Sequence, residues 1–319
     1  ADLGLLGALL PPEAEGFGGQ GEDFMVIFEQ IGRHLVSDPI LPNAVLGGWA
    51  LHLAGGQQEL INRMLAGGTQ LSFAFGEAKS RYDWGHVETY VRDGRISGKK
   101  SVVLNAPAAN MFIVTAKDEA APDLVGLYLV DGSSKAVDVR PYGTIDAGPA
   151  GDIVFDQAEV ICLKRDAHEV LQHIFDQGAL AVCAEAIGIM EYCKDTTLDY
   201  LKTRKQFGRS LGAFQALQHR MVDMVIEFEQ ARSAVMLAAA HMESDAHTRS
   251  YYVSVAKNLV GRVGKIVAEE TIQLHGGIAM CWEYDVSHYT KRLVMIDHQF
   301  GDAEEHLDRF VRLSGEDAA

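Results

Sequence analysis

The chain has 319 residues, and 28 Lys and Arg against 44 Asp and Glu leave a formal charge of −16. That balance argues against nucleic acid and anionic membrane surfaces as main partners, because both require a basic footprint. With 48% hydrophobic and 23% charged residues the composition is that of an ordinary globular protein of one to three domains, and no apolar run approaches the roughly 18 residues needed to cross a bilayer.

The stretch from Ala1 to Leu10 is apolar but has no basic flank and is too short for a signal peptide; it reads as the interior of a domain that starts upstream. Residues 1–68 are predicted to be helical: one helix begins at Phe24-Met25-Val26-Ile27-Phe28 and Ile31, and two more cover 46–53 and 60–65. Gly16-Phe17-Gly18-Gly19-Gln20-Gly21 is expected to be a loop. No strand precedes it, so it is a weak signal for a phosphate-binding turn. Between residues 69 and 165 the pattern changes to short β-branched runs at 70–75, 86–91, 100–104, 111–115, 125–130 and 153–155, separated by Gly and Asp. This predicts a small antiparallel β domain, with Asp93-Gly94 as a hairpin turn.

Helical spacing returns from 166 to 319. Phe214, Leu217, Met221, Met224 and Phe228 share one stripe, and Tyr252, Ala256, Val260, Val263 and Val267 share another. Pro is absent after Pro149, which suits long uninterrupted helices and predicts a four-helix bundle. Cys162, Cys183, Cys193 and Cys281 have no metal-ligand spacing and are expected to be reduced thiols of a cytoplasmic protein. His275, His288, His298 and His306 likewise lack ligand spacing and are expected to be surface or packed residues.

Two segments carry chemistry. One is Thr203-Arg204-Lys205-Gln206-Phe207-Gly208, followed by Leu211 and Phe214-Gln215-Ala216-Leu217-Gln218; the other is Gln273-Leu274-His275-Gly276-Gly277, followed by Glu283-Tyr284. With the helix–β–helix order, these resemble the acyl-CoA dehydrogenase family over essentially the whole chain, apart from a missing N-terminal helix. The resemblance implies FAD lying across a subunit boundary, with this chain supplying the adenine and pyrophosphate half. Arg204 is the cation for the pyrophosphate. Gln206, Phe207, Leu211, Phe214 and Leu217 line the cofactor, and Gly208 ends the helix. Gln273 hydrogen-bonds the cofactor, and Gly276 and Gly277 allow close backbone approach. Read singly, the same residues are a surface cation and a helix C-cap.

The rest of the family site departs from this pattern. Where the family carries Thr-Glu-Pro-x-x-Gly-Ser-Asp, this chain reads Gly76-Glu77-Ala78-Lys79-Ser80-Arg81-Tyr82-Asp83, and where the family carries Trp-Ile-Thr-Asn it reads Val102-Val103-Leu104-Asn105. The flavin-facing positions are therefore Val102 and Leu104, without an aromatic plane or a hydroxyl. The family's catalytic Glu falls at Gly301 in Phe300-Gly301-Asp302-Ala303, and an alternative base position falls at about Gly178, beside Ala179. No catalytic base is expected in this chain. Asp302 and Glu304 are weak candidates whose simpler role is a helix start, and Asp176 is expected at the surface or in a cap.

The resemblance thus implies a subunit of a heterotetrameric (α2β2) acyl-CoA dehydrogenase, similar to those acting on steroid side-chain CoA thioesters. The implied companions are a paralogous subunit carrying the flavin pocket and the Glu, an acyl-CoA substrate, and electron-transfer flavoprotein as acceptor. Two alternatives stay open: a self-sufficient homotetrameric flavoenzyme with an unusual base, and a non-redox binding or scaffold protein on the same fold.

Overall fold

A computed structural model of the chain describes residues 3–316; Ala1 and Asp2, at the head of the apolar N-terminal stretch, lie outside it. The chain is mainly α with a central β domain and a C-terminal helical region. Contacts group it into two compact units, one of residues 1–20 and 37–178 and the other of residues 21–36 and 179–319.

The first unit holds the β domain. A wide π-helical stretch, Leu41–Gly48, runs into α2 (Trp49–Ala54), and α3 (Gln58–Leu65) follows, so the helix expected over 46–53 is divided between two windings. The strands are β1 (Leu71–Ala74), β2 (Tyr90–Arg92), β3 (Arg95–Leu104), β4 (Met111–Asp118), β5 (Ala121–Asp131), β6 (Val137–Gly143) and β7 (Pro149–Lys164). Pairing runs β4–β2–β3–β7–β5 and returns from β5 to β4, closing the sheet on itself, while β1 adds to β4 and β6 to β7. The domain is not purely antiparallel as expected: β1 and β2 both run parallel to β4. Closure places Val91, Ile96, Val103, Phe112, Val114, Tyr128, Val130, Ile153 and Phe155 in one buried cluster. Asp93 (φ 49°) and Gly94 (φ 73°) form the two-residue turn between β2 and β3, as the Asp-Gly signal predicts.

The glycines of 16–21 have packing roles. A Cβ on Gly16 would lie 2.0 Å from the Leu10 carbonyl oxygen, so the loop folds against its own upstream backbone.

The second unit is helical. It contains α1 (Gly21–Arg33), the part of α4 (His168–Thr203) beyond Gly178, α5 (Gln215–Ala240), α6 (Ala246–His275), α7 (Val286–Asp297) and α8 (Ala303–Glu316). α6 packs against α5, α7 and α8. Most of the predicted stripes is core: Met221, Met224, Phe228, Ala256, Val260, Val263 and Val267 are buried, while Phe214, Leu217 and Tyr252 are half-buried. α1 meets α4 backbone to backbone, since a Cβ on Gly32 would come within 1.9 Å of the Glu185 oxygen and one on Gly188 within 1.9 Å of the Glu29 oxygen. A bidentate Arg292–Glu185 pair at 2.6 and 2.7 Å ties α7 to α4. Among the described residues no helix is long and apolar enough to cross a membrane, and no His, Cys, Asp and Glu cluster has metal-binding geometry.

Candidate cofactor half-site

At the end of α4 the backbone of Arg204 is fixed from both sides. Its N–H donates to the Tyr200 carbonyl (2.8 Å) and its carbonyl accepts from Leu211 N–H (2.9 Å). The guanidinium is exposed and makes no ion pair or hydrogen bond with another described residue. Lys205–Gln206 (β8) and Arg209–Ser210 (β9) then pair as a small hairpin whose turn is Phe207 (φ 55°) and Gly208 (φ 80°). Gly208 does not end the helix as expected. α4 stops at Thr203, and Gly208 supplies the second left-handed residue of a two-residue turn, the geometry that Gly adopts most readily. Phe207 is in a backbone region that disfavours bulky side chains, with its ring 88% exposed and edge-on to Phe214 at 6.2 Å. The Arg209 guanidinium stands 4.0 Å over Phe214, and Leu211, Phe214 and Leu217 are half-buried where α5 begins.

The second segment closes α6. Gln273 is exposed, and Gly276 (φ 71°, ψ −149°) caps the helix by donating to the Ile272 carbonyl before a 3-10 turn over Gly276–Met280. A Cβ added to Gly276 or Gly277 would meet nothing within 4 Å, so both glycines face open space. Tyr200 of α4 and His275 of α6 stack at 4.5 Å and 29°, and the Tyr284 ring lies tilted at 5.5 Å from the imidazole. The stack joins the two motif segments one turn before Arg204 and one residue before Gly276. A bidentate Arg220–Glu270 pair (2.6 and 2.8 Å) adds a tie between α5 and α6. The result is an exposed cation with no internal partner, an exposed amide and two bare glycines. This donor set fits the adenine and pyrophosphate half of FAD.

The β-domain positions do not fit the flavin half. Val102 is exposed on a bulge of β3 with φ 54°, a strained conformation for a β-branched residue, and its N–H lies 3.1 Å from the Tyr142 hydroxyl and 3.3 Å from Asp152 Oδ1. Neither Val102 nor Leu104 offers a hydroxyl or an aromatic face. Gly76 is confined as well, because a Cβ there would sit 3.0 Å from the Ser101 oxygen, so Thr would crowd β3.

What the loop from Gly76 does contain is a buried lock. Glu77 Oε1 accepts from Lys100 Nζ (2.7 Å) and Thr89 Oγ1 (2.7 Å), and Oε2 accepts from Glu88 N–H (2.7 Å). Lys100, fully buried, also donates to Thr115 Oγ1 at 2.9 Å. Burial brings the Lys100 ammonium down to about 8, opposed by Glu77, and the Lys100 charge and these donors hold the Glu77 carboxyl below the usual range despite its own burial. Glu77 and Lys100 lie 23 positions apart in the sequence, in a loop and a strand. Their pairing appears only when β3 is laid beside that loop.

The position that the resemblance gives to the catalytic base is a backbone turn. Phe300 (φ 58°) and Gly301 (φ 102°) lead into α8, and a Cβ on Gly301 would lie 2.8 Å from His306 Nε2. Buried Lys257 donates to the Gly301 carbonyl (2.6 Å) and the Asp297 carbonyl (3.0 Å), and His306 Nε2 donates to the Phe300 carbonyl at 2.8 Å. Asp302 accepts from Glu305 N–H at 2.9 Å, and Glu304 is exposed, so both serve the start of α8. Gly178 and Ala179 are buried in α4. Asp176, expected at the surface or in a cap, is 0% exposed in the body of that helix, because the helix is buried all round there, with every residue from Ile174 to Leu180 buried.

Residues 168–312 match the family described as "Acyl-CoA dehydrogenase, C-terminal domain". The chain is 28% identical to the acyl-CoA dehydrogenase IpdE2 of Mycolicibacterium smegmatis, over 96% of this chain and 83% of that one. It is also 28% identical to the acyl-CoA dehydrogenase FadE34 of Mycobacterium tuberculosis, over 98% of this chain and 41% of that longer protein. Among solved structures it resembles a variant of the Tcur3481-Tcur3483 steroid ACAD, with a TM-score of 0.89 and 28% identity, over 99% of this chain and 87% of that one. The ChsE4-ChsE5 complex from Mycobacterium tuberculosis shares the fold, with a TM-score of 0.88 and 24% identity over 99% and 86%. The helical region, residues 168–312, thus matches the acyl-CoA dehydrogenase C-terminal domain family, and the chain is similar along its whole length to acyl-CoA dehydrogenases.

Proposed function

We propose that this chain is the cofactor-sharing subunit of a heteromeric, FAD-dependent acyl-CoA dehydrogenase that desaturates an acyl-CoA thioester between its α and β carbons. The observation that carries the reading is the sorting of the two half-sites. The adenine-side set is intact, with Arg204 and Gln273 exposed and glycines 276 and 277 bare, on two segments joined by the Tyr200–His275 stack, while Val102, Leu104 and Gly301 lack the flavin contacts and the base. A paralogous subunit then supplies the flavin pocket and the Glu, giving an α2β2 tetramer with one FAD per heterodimer. The names of the similar proteins, a steroid ACAD and a two-component complex, support a steroid side-chain CoA as the substrate class and a paralogue as the partner.

In this arrangement bound FAD would supply the hydride-accepting chemistry. This chain's own residues bind and orient: the Arg204 guanidinium neutralises the pyrophosphate with fixed charge, Gln273 hydrogen-bonds, Gly276 and Gly277 admit close approach, and Phe207 presents its exposed ring as cover. The α-proton goes to the partner's carboxylate, because Asp302 and Glu304 are committed to α8. Electron-transfer flavoprotein is the expected acceptor, and the cytoplasm the expected compartment.

Purification alone and with the paralogue tests the reading. Colour and activity only after coexpression are expected. A yellow, active homomer would instead establish the self-sufficient enzyme, and absence of FAD in both preparations the non-redox binding protein.

A further inference from the structure

His275 stands one residue before Gly276 with its ring 4% exposed. Its Nδ1 donates to the Thr271 carbonyl at 2.8 Å, while Nε2 is buried without a hydrogen-bond partner among the described residues. A carbonyl only accepts, so Nδ1 carries the hydrogen and Nε2 holds a bare lone pair, on a ring that contacts Tyr200 of α4 and Tyr284 of the segment after the 3-10 turn. We propose that His275 is the positioning residue of the cofactor half-site: its neutral ring, held between Tyr200 and Tyr284, keeps the end of α4 and the Gly276–Gly277 cradle together, and a proton on Nε2 releases them. The inference rests on the half-site reading above for its link to FAD.

The surroundings make the ring a poor home for a cation. The groups facing it are the two phenols and Thr271 of its own helix; the charges of Tyr192 and Asp285 act on Tyr284, and among the described residues no carboxylate pairs with the imidazole. A tyrosine face attracts a cation weakly, but a second N–H would have no acceptor in a closed space. Burial accordingly holds the imidazole below its usual 6.5, opposed by the Thr271 hydrogen bond. The closed state therefore binds fewer protons than the opened one. Opening is suppressed above pH 6.5 and grows as pH falls below it, until the ring protonates in place.

Hydrogen exchange of the full chain tests this, comparing wild type with His275→Phe, which keeps the ring contacts and removes the titrating nitrogen. Between pH 6.5 and 5.5, after correction for intrinsic rates, protection over residues 273–284 is expected to fall by up to about fivefold in wild type and to stay flat in the variant. The coexpressed complex should likewise shed FAD at pH 5.5 with wild-type chain and retain it with His275→Phe. An equal pH response in both proteins overturns the proposal. Should the variant not fold, 15N-histidine NMR of wild type decides: a neutral Nδ1–H signal persisting at pH 6 supports the proposal, and titration near 6.5 with unchanged protection overturns it. A complex without FAD at pH 7.5 contradicts the half-site reading, and the exchange measurement still decides the role of His275.

Discussion

The ring of Tyr200 lies 4.5 Å from that of His275 at 29°, and this stack links the helix that presents Arg204 to the helix that presents Gln273 and Gly276. Neither ring touches the exposed cradle chemically, yet both set where its two sides stand. Tyr200→Ala is expected to cost about 1–3 kcal/mol in urea unfolding, from lost packing and ring contact together, while Tyr200→Phe should stay within about 0.5 kcal/mol.

Arg204 and Gln273 are exposed, and Arg204 pairs with nothing internal, so removing their side chains should leave stability unchanged. Arg204→Ala and Gln273→Ala are expected to weaken FAD retention by the complex. Loss of a charge-assisted contact at Arg204 is worth on the order of 1.5–3 kcal/mol, more than tenfold in affinity. Flavin absorbance after gel filtration reads the effect, and unchanged flavin in both variants would remove these residues from the cofactor site.

Restoring a carboxylate at Gly301 should not create a base. The residue has φ 102° and a Cβ would meet His306 Nε2 at 2.8 Å, so Gly301→Glu is expected to destabilise the chain by at least about 1–3 kcal/mol and to yield no turnover without the partner. Asp302→Asn keeps the cap, and Glu304→Gln changes an exposed side chain, so each should leave turnover of the complex within about threefold, against the 10²–10⁴-fold loss of a true general base. A collapse of turnover with normal flavin content would revive the homomeric enzyme.

Acid should destabilise the helical unit. Burial, with the Lys257 charge adding to it, holds His306 down to about 3 against an ordinary 6.5, so the native state keeps it neutral while the unfolded chain protonates. The associated stability is complete above pH 6.5 and is lost progressively as pH falls toward 3, on the order of 2 kcal/mol by pH 5. The urea midpoint at pH 7.5 and pH 5 measures it, and the slope should shrink in a His306→Gln variant. A midpoint independent of pH would contradict buried neutral His306.

The helical core was legible because Met221, Met224 and Phe228, and Val260, Val263 and Val267, repeat at the period that brings them to one face. The cofactor motifs were legible because charge, aromatic and glycine residues cluster within a few positions. Less local features were not. β6 carries alternating polar residues and reads as loop until β7 pairs with it. Gly208 sits after a helix and reads as its stop, although two short strands follow and need a turn. The Glu77–Lys100 lock and the Tyr200–His275 stack join residues 23 and 75 positions apart, a distance over which spacing carries no signal. Asp176 reads as a surface acid, since polarity alone does not reveal that its helix is buried on all sides there.

Native mass spectrometry of the complex copurified with the paralogous subunit tests the central claim most directly, because it counts chains and cofactors together. The expected species is an α2β2 tetramer holding two FAD, one per heterodimer, with this chain alone folded and colourless. Four FAD in the tetramer, or a stable flavin-loaded homotetramer of this chain, would contradict the half-site account.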